Sequence, residues 1–437
     1  MRLSRLQLTA VAGPAVPMAT LILPLVIFIP PYFADQVGLG MAVVGTIFTL
    51  ARLFDVITDP VAGVLMDRMH KRITKFTWVV LGAFPLGLAT WQIFFPTETL
   101  SSFTLMMWLL VLYLGWTAMT VGLFSWASEL AGDYHERSRV MGTIQMAHVV
   151  GTLLALSIPA GIELMNFNGN VARIRIEAMG ALIIVLLPIM LFFAWRFSPA
   201  VEHENKPSNE SMKLVIKQAF SNSALRRLIV ADLAMGLNIA VLSSLSVFYI
   251  EIVLGLEGRA GIVQLAMFAS SLLGLPLFIW MSGRFEKHKT LILAISWAAS
   301  GALIASTAPV GGFIFTLLSF VAFGFSFGAL QMLPRAIMAD VLEELQLKTG
   351  SANTSTYFAF LATTFKLGLG LGVGLTYAIA SQAGFDPVTA RETDSAHWVI
   401  RAMIGGIPLI LATIVFVSMW RFPLNRKRYE ELRSSLA

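Results

Sequence analysis

Arg52, Asp55, Thr58 and Asp59 fall within eight residues inside a long apolar run, with Pro60 directly after them. On a helix, residues three and four apart share a face, so Arg52, Asp55 and Asp59 project together with Thr58 beside them. An ionised side chain at mid-bilayer costs about 2.5–3.5 kcal/mol on insertion scales, so such a face turns toward protein or a watery cavity. Two like charges held together resist double ionisation, which makes a proton or a small cation the natural third party. Reversible cation binding is the chemistry expected here. A structural knot, in which Arg52 and neighbouring helices satisfy the acids, is the blander alternative.

The elements that must position these groups follow from composition. Of 437 residues 57% are apolar and 13% are charged, against about 25% charged in soluble domains; the mean hydropathy is +0.77. A soluble globular protein is excluded. Apolar runs recur at roughly 10–33, 40–66, 76–95, 102–127, 139–163, 174–196, 224–252, 259–281, 289–308, 311–340, 351–382 and 396–420. Each is long enough as a helix to cross a hydrocarbon core of about 30 Å. Ten-residue segments of alternating polarity, the mark of a membrane barrel, are absent. The expectation is an all-α polytopic membrane protein with twelve transmembrane helices. Arg2 and Arg5 precede a long apolar run with no small-residue cleavage pattern, so the first helix is read as retained.

An even number of spans puts both termini on one side, and basic loops say which. Arg68, Lys71, Arg72 and Lys75, then Arg137 and Arg139, then Lys206, Lys213, Lys217, Arg226 and Arg227 belong to one set of loops. Arg284, Lys287, Lys289 and the tail from Arg421 to Arg433 continue it, which makes both termini cytoplasmic. The charge of +6 therefore reflects topology and not nucleic-acid binding. The absence of cysteine removes disulfides and thiolate metal sites. The polar stretch 198–223 reads as a cytoplasmic linker between a six-helix half at 1–197 and a second at 224–437. The loop from Met66 to Arg72 has a faint counterpart in Ser282 to Lys289, about half the chain later. That layout is the major facilitator arrangement.

Three stretches resemble one family of that superfamily, the glycoside–pentoside–hexuronide cation symporters, of which melibiose permease is a member. Arg52 to Pro60, continued to Asp67 and Arg68, is similar to the family's R-x-x-D-x-x-x-D-P and D-R on helix two. Glu129 to Arg139, with Asp133, Tyr134, Glu136 and Arg137, is similar to its block after helix four. Leu333, Pro334 and Arg335 through Asp340, then Lys348 to Gly350, and finally Phe365, Lys366, Leu367 and Gly368, resemble the loop and helix eleven with its embedded lysine.

The resemblance implies a secondary symporter with the coupling ion, Na+, Li+ or H+, at Asp55 and Asp59, assisted by Thr58 and by a helix-four hydroxyl at Thr117. Thr58 stands where the family usually has an amide, which keeps proton coupling open. Lys366 and Arg52 are implied in coupling, with the Lys366 charge offsetting the acids when the cation has left. Gly368, Gly370, Gly372 and Gly374 would let helices approach closely. Asp67, Arg68, Asp133, Glu136, Arg137 and Asp340 fall at cytoplasmic helix ends and are read as a gate network rather than substrate ligands.

Departures from the family bear on the substrate. The helix-one carboxylate of sugar-transporting members falls at Ala19, a helix-four carboxylate at or near Thr120, and a helix-five arginine at or near Gln145. A galactoside would lose its directed hydrogen bonds here. Prolines in the apolar run from Pro24 to Pro31 fit a less polar or amphipathic substrate. Gln145 and His148 either line the cavity or make an interhelical hydrogen bond, and Trp116 and Trp126 either stack on a ring or pack. Glu163, Arg173, Arg175 and Glu177 read as a solvated loop.

The function expected is therefore cation-coupled movement of a small organic substrate, sugar-like by resemblance, across a bacterial inner membrane by alternating access. A symporter of a lysophospholipid-like amphiphile is the alternative within transport. A membrane-embedded hydrolase is disfavoured because both acids share one helix with a cationic neighbour and no nucleophile–base pattern is visible; a sensor without flux is a further alternative. Neither a cofactor nor an obligate protein partner is expected; the partners expected are the substrate and the bilayer.

Overall fold

The computed structural model describes residues 3–70, 72–96, 101–131, 133–164, 170–199, 221–349, 353–382 and 394–424. Among them, all regular structure is helical. The first span, α1, occupies residues 5–36 in pieces. Arg5–Ala12 starts on a Ser4 cap, whose hydroxyl accepts from the Gln7 N–H while Gln7 accepts from the Ser4 N–H. Ala15–Leu23 follows, then π-helical turns at Pro24–Phe28 and Tyr32–Gln36 around Ile29–Pro31. Proline cannot donate to the helical ladder, so a run with Pro24, Pro30 and Pro31 slips into wider turns.

The remaining spans are α2 Met41–Arg68, α3 Lys75–Phe94, α4 Ser102–Leu130, α5 Tyr134–Leu164 and α6 Val171–Phe197. They continue as α7 Ser223–Phe248, α8 Ala260–Arg284, α9 Lys287–Ser306, α10 Phe313–Thr349, α11 Thr354–Gln382 and α12 Asp394–Met419. Among the described residues, eleven helices are long and apolar enough to cross a membrane; α2 is outside that group, and it is the helix that carries Arg52, Asp55 and Asp59. At 28 residues it reaches about 42 Å, enough to span. It is also inside out by soluble standards. Leu53, Ile57, Val61 and Leu65 are exposed, while Asp55, Asp59 and Asp67 are buried. That is the polarity a lipid-facing helix requires.

Several spans run longer than their apolar cores. The tenth extends from the expected end near 340 to Thr349, because Glu, Leu, Gln and Lys after Asp340 are good helix formers and nothing there breaks the helix.

The chain falls into two compact units. The first, Met1–Asn209 with Thr349–Phe360, holds α1 to α6 and the opening turns of α11. In it α3 packs along α4, α4 on α2, and α1 on α5 and α6. The second, Glu210–Lys348 with Leu361–Ala437, holds α7 to α10, the rest of α11, and α12, with α12 packed on α7 and α9. Most of the expected linker (200–220), the tail beyond 424, Lys71, Gly132 and Gly350 lie outside the described residues.

Candidate functional site

Asp55 and Asp59 are each 1% exposed. Both face α4, where the Thr117 hydroxyl lies 3.0 Å from Asp55 Oδ1 and 2.7 Å from Asp59 Oδ1. One hydroxyl carries one proton. It can donate to one carboxylate oxygen, and the second close oxygen pair needs a proton on a carboxyl group or a cation among the three oxygens. Pro60 follows Asp59 inside α2 and leaves the Val56 carbonyl without its helical donor. Thr58, expected beside the acids, donates instead to the Asp55 carbonyl of its own helix at 3.1 Å. Arg52 is exposed, with its guanidinium 5.9 Å from the centre of the buried Tyr113 ring on α4.

A second cluster closes the end of α2. Asp67 accepts from Lys75 Nζ at 2.7 Å, the Ser355 N–H at 3.0 Å, and the Thr356 N–H and hydroxyl, each at 2.7 Å. Lys75 also donates to the Ser355 hydroxyl at 2.7 Å. Asp67 thus caps the start of α11 while neutralising a buried lysine. Gly63, one turn earlier on α2, makes the approach possible: a Cβ there would sit 2.7–2.8 Å from Ala359 and the Ser355 carbonyl. Glu136 is buried, accepting from the Leu3 N–H at 3.0 Å and from Arg139 at 2.6 Å. Arg137 beside it is buried and Arg68 exposed. Asp133 caps α5 through the Glu136 N–H at 2.8 Å. Burial pushes the Asp133 carboxyl up, but the N–H bonds from Glu136 and His135 and the His135 charge hold it below its ordinary value.

Other expected residues are more scattered. Ala19 is fully buried at the crossing of α1 with α5, against the position of Gly151. Trp126 is buried and packs on Phe76 of α3 with ring centres 4.8 Å apart. Trp116 is half-buried, and the Thr120 hydroxyl on α4 is buried with no hydrogen-bond partner. Gln145 is buried; His148 keeps Nδ1 3.2 Å from the Ile144 carbonyl and stacks on Phe124. Arg173 and Glu177 make an exposed ion pair at 2.7 Å, and the side chain of Glu163 lies outside the described residues. Asp340 pairs with Lys287 of α9 at 2.6 Å in the second unit. In the glycine run of α11, Gly368 and Gly372 meet α7, whereas Gly370 and Gly374 face open space. Lys366 is half-buried in the second unit.

Residues 10–426 match the MFS/sugar transport protein family. The chain belongs to that family. Family and fold are those of integral membrane transporters acting on small molecules, not of enzymes. Among relatives, the glucuronide carrier protein homolog of Escherichia coli is 21% identical across 93% of this chain and 90% of its own. The sodium-dependent lysophosphatidylcholine symporter 1-A of Danio rerio is 21% identical across 92% of this chain and 82% of its own. The fold is that of the E. coli fucose:proton symporter FucP, with a TM-score of 0.71, 14% identity, and coverage of 96% and 98% of the two chains.

In this family member, sequence reasoning missed three things. Lys75 was grouped with the basic loop residues, and nothing in the sequence distinguishes a buried lysine there from a solvated one. Ser355 and Thr356 gave no signal beyond being capping residue types at a helix start. The third is Asp232, an acid in the middle of apolar α7, which the cost of intramembrane charge should have flagged.

Proposed function

We propose that the chain is a cation-coupled symporter that binds its coupling ion at Asp55, Asp59 and Thr117 and moves a small organic substrate by alternating access of two six-helix halves. Both termini are cytoplasmic in this reading, which rests on the basic loops, and the membrane is the bacterial inner membrane. The observation that carries the reading is the single Thr117 hydroxyl within hydrogen-bonding distance of two buried carboxylates. Three convergent oxygens suit a hard monovalent cation if water or backbone carbonyls complete the shell, and a proton satisfies the same contacts with fewer groups. Na+, Li+ and H+ are the candidate ions. Lys366 supplies compensating charge when the site empties. Asp67, Lys75, Ser355 and Thr356, together with Arg68, Asp133, Glu136 and Arg137, form the gate that must break and reform.

A second reading of the substrate, an amphiphile with a polar head, is favoured by α1. Where sugar carriers of the resembled family place a carboxylate this chain has the fully buried Ala19, and a lysophosphatidylcholine symporter is among its relatives.

Thermal unfolding of the purified protein in sodium, lithium or choline at constant ionic strength, over a range of pH, tests the ion site alongside Asp55→Asn and Asp59→Asn. A ligand at 100 times its Kd stabilises the folded state by about 2.7 kcal/mol. Sodium or lithium should raise the Tm of the parent and not of the variants. A response to pH alone, lost in the variants, assigns the proton. No response to either removes the reading.

A further inference from the structure

One helical turn before the acids of α2 stands a cation that forms no ion pair with them. Arg52 precedes Asp55 by three residues, and side chains three apart on a helix are neighbours, so its guanidinium reaches Asp55 without a change of backbone. It lies instead 5.9 Å from the centre of the Tyr113 ring on α4. Among the described residues Arg52 makes no hydrogen bond or ion pair, and it is exposed. Tyr113 is 4% exposed, and its hydroxyl is buried without a hydrogen-bond partner among the described residues. Packing holds this ring in place; its hydroxyl does not. Thr117, which Asp55 and Asp59 share, comes four residues after Tyr113 on the same face of α4. The seam between α2 and α4 therefore carries two adjacent layers, Arg52 on Tyr113 and the two acids on Thr117, about 4.5–6 Å apart along the helices.

Arg52 has two places to be. On the ring, the guanidinium is attracted by the negative face of the π system, within the ~6 Å over which that attraction acts. On the acids, it takes lone pairs that a bound cation needs and repels that cation by its own charge. Two carboxylates attract it more strongly than one ring does. It moves to them when the pair is empty, and returns to the ring when an ion neutralises part of their charge. The charge count agrees: Lys366 as a compensating charge offsets one of two acids, and Arg52 offsets the other.

We propose that Tyr113 is a positioning residue that holds Arg52 off the Asp55 and Asp59 pair, and that the competition of ring and acids for this guanidinium sets how tightly the pair holds its coupling cation. The face of the ring acts here, and the hydroxyl does not. An exposed cation–π contact is worth a factor of about two to five. That is small beside the pull of two acids, as a resting place must be if Arg52 is to leave it in every cycle.

This inference rests on the symporter reading, and its test separates the two. The purified full-length protein is titrated with NaCl and with LiCl, at an ionic strength held constant with choline chloride, and the apparent affinity is read from thermal shift. Arg52→Gln removes the competitor and should tighten binding of the ion to which the parent responds by about tenfold. Tyr113→Leu should weaken it by about two- to fivefold. Tyr113→Phe keeps the ring and should bind as the parent does. Tyr113→Leu combined with Arg52→Gln should bind as Arg52→Gln alone, because the ring acts only through the guanidinium; a merely structural tyrosine would weaken both backgrounds alike. If Tyr113→Leu does not fold, pentafluorophenylalanine at position 113 keeps the shape of the ring, reverses the polarity of its face and should weaken binding in the same way.

In a parent that responds to pH alone, the same variants are read in the pH midpoint of that response. Tyr113→Leu should move the midpoint down by about 0.3–0.7 of a pH unit and Arg52→Gln should move it up, since the guanidinium competes with a proton as it does with a metal ion. The other ionisable groups among the described side chains packed on α2 are Tyr32 of α1, Tyr357 of α11 and, twelve residues beyond Thr117, Glu129 of α4; Asp67 stands eight residues beyond Asp59. Weaker binding in Arg52→Gln, a loss in Tyr113→Phe equal to that in Tyr113→Leu, or an effect of Tyr113→Leu that persists without Arg52 overturns the proposal and leaves the symporter reading standing. A parent that answers to neither sodium, lithium nor pH removes both.

Discussion

The two units treat a buried acid in opposite ways. In the first, two carboxylates converge on one hydroxyl, Asp55 and Asp59 on Thr117, while the nearest arginine in sequence, Arg52, is exposed. In the second, one buried carboxylate, that of Asp232, accepts from one hydroxyl, that of Thr364. The hydroxyl is common and the number of acids is not. A pair of acids with a single shared donor answers to a mobile cation, whereas a lone acid that accepts from its own hydroxyl does not need one. The difference predicts that cations in solution act on the first unit and not on the second.

The helix ends repeat the contrast. Lys75 at the start of α3 and Lys287 at the start of α9 occupy equivalent places after the two similar loops, and both are buried on an aspartate. Lys75 meets an Asp67 that also holds two backbone N–H groups and a hydroxyl of α11. Lys287 has Asp340 and, at 3.5 Å, the Ala336 carbonyl. Removing one partner of a buried pair costs about 3–5 kcal/mol, so Asp67→Ala and Asp340→Ala should each lower stability severely. In Asp67→Ala about 1 kcal/mol of that loss should be the usual worth of a helix cap. Asp67→Asn, which keeps a capping oxygen, should therefore lose less than Asp67→Ala in thermal unfolding in one buffer. Equal losses in these two variants would mean that the bonds to Ser355 and Thr356 contribute nothing.

A smaller effect sharpens the comparison of the acids. Thr117→Val keeps the shape and removes the shared donor. Its affinity for the stabilising cation should fall by about tenfold, equivalent to roughly 1.4 kcal/mol, while Thr117→Ser keeps it. Thr364→Val should lower stability by about 1 kcal/mol, the usual value of one hydrogen bond, and leave the cation response alone. Cation titrations followed by thermal shift on the three variants decide the matter. A cation response lost in Thr364→Val would erase the distinction between the units.

Much of this was legible in the sequence, and the physical reason is lipid. A charge inside an apolar run is costly enough that its position announces a site, which is why Asp55 and Asp59 stand out and why the helices could be counted. Family resemblance, rather than spacing, brought Thr117 to them. Legibility ends where a residue's type is compatible with several fates. Lys75 and Lys287 sit in loops rich in basic residues, and only packing distinguishes the buried ones. Trp126 and Trp116 share a helix, yet the first packs on Phe76 and the second is half-buried. Thr58 lies beside the acids along α2, but its hydroxyl bonds its own backbone, the common choice for threonine within a helix. Asp232 obeyed the same rule of intramembrane charge as Asp55, but it is the one acid of its helix and the hydroxyl that meets it, Thr364, comes from α11. A one-dimensional pattern carries no trace of that meeting.

The smallest expected effect lies outside the spans, at Asp133, and it is one of pH. Its carboxyl is held below the ordinary value because the N–H bonds at the start of α5, with His135 beside them, outweigh burial. A depressed folded-state pKa contributes stability that is present above the unfolded value, about 3.9 for an aspartate. That stability is lost as pH falls through the lower folded value. Acidification below about pH 4 should therefore remove a contribution of about 0.5–1 kcal/mol, the range of an N-cap charge at a helix start. Asp133→Asn still caps the helix and should lose only this pH-dependent part. Asp133→Ala should lose the cap at every pH, at a cost of about 1 kcal/mol. Denaturation midpoints of the three proteins at pH 7 and pH 3.5 distinguish these outcomes. A parent and an asparagine variant with the same pH dependence in that window would show that Asp133 caps α5 through its oxygen geometry alone, and that its charge plays no part at this end of the first unit.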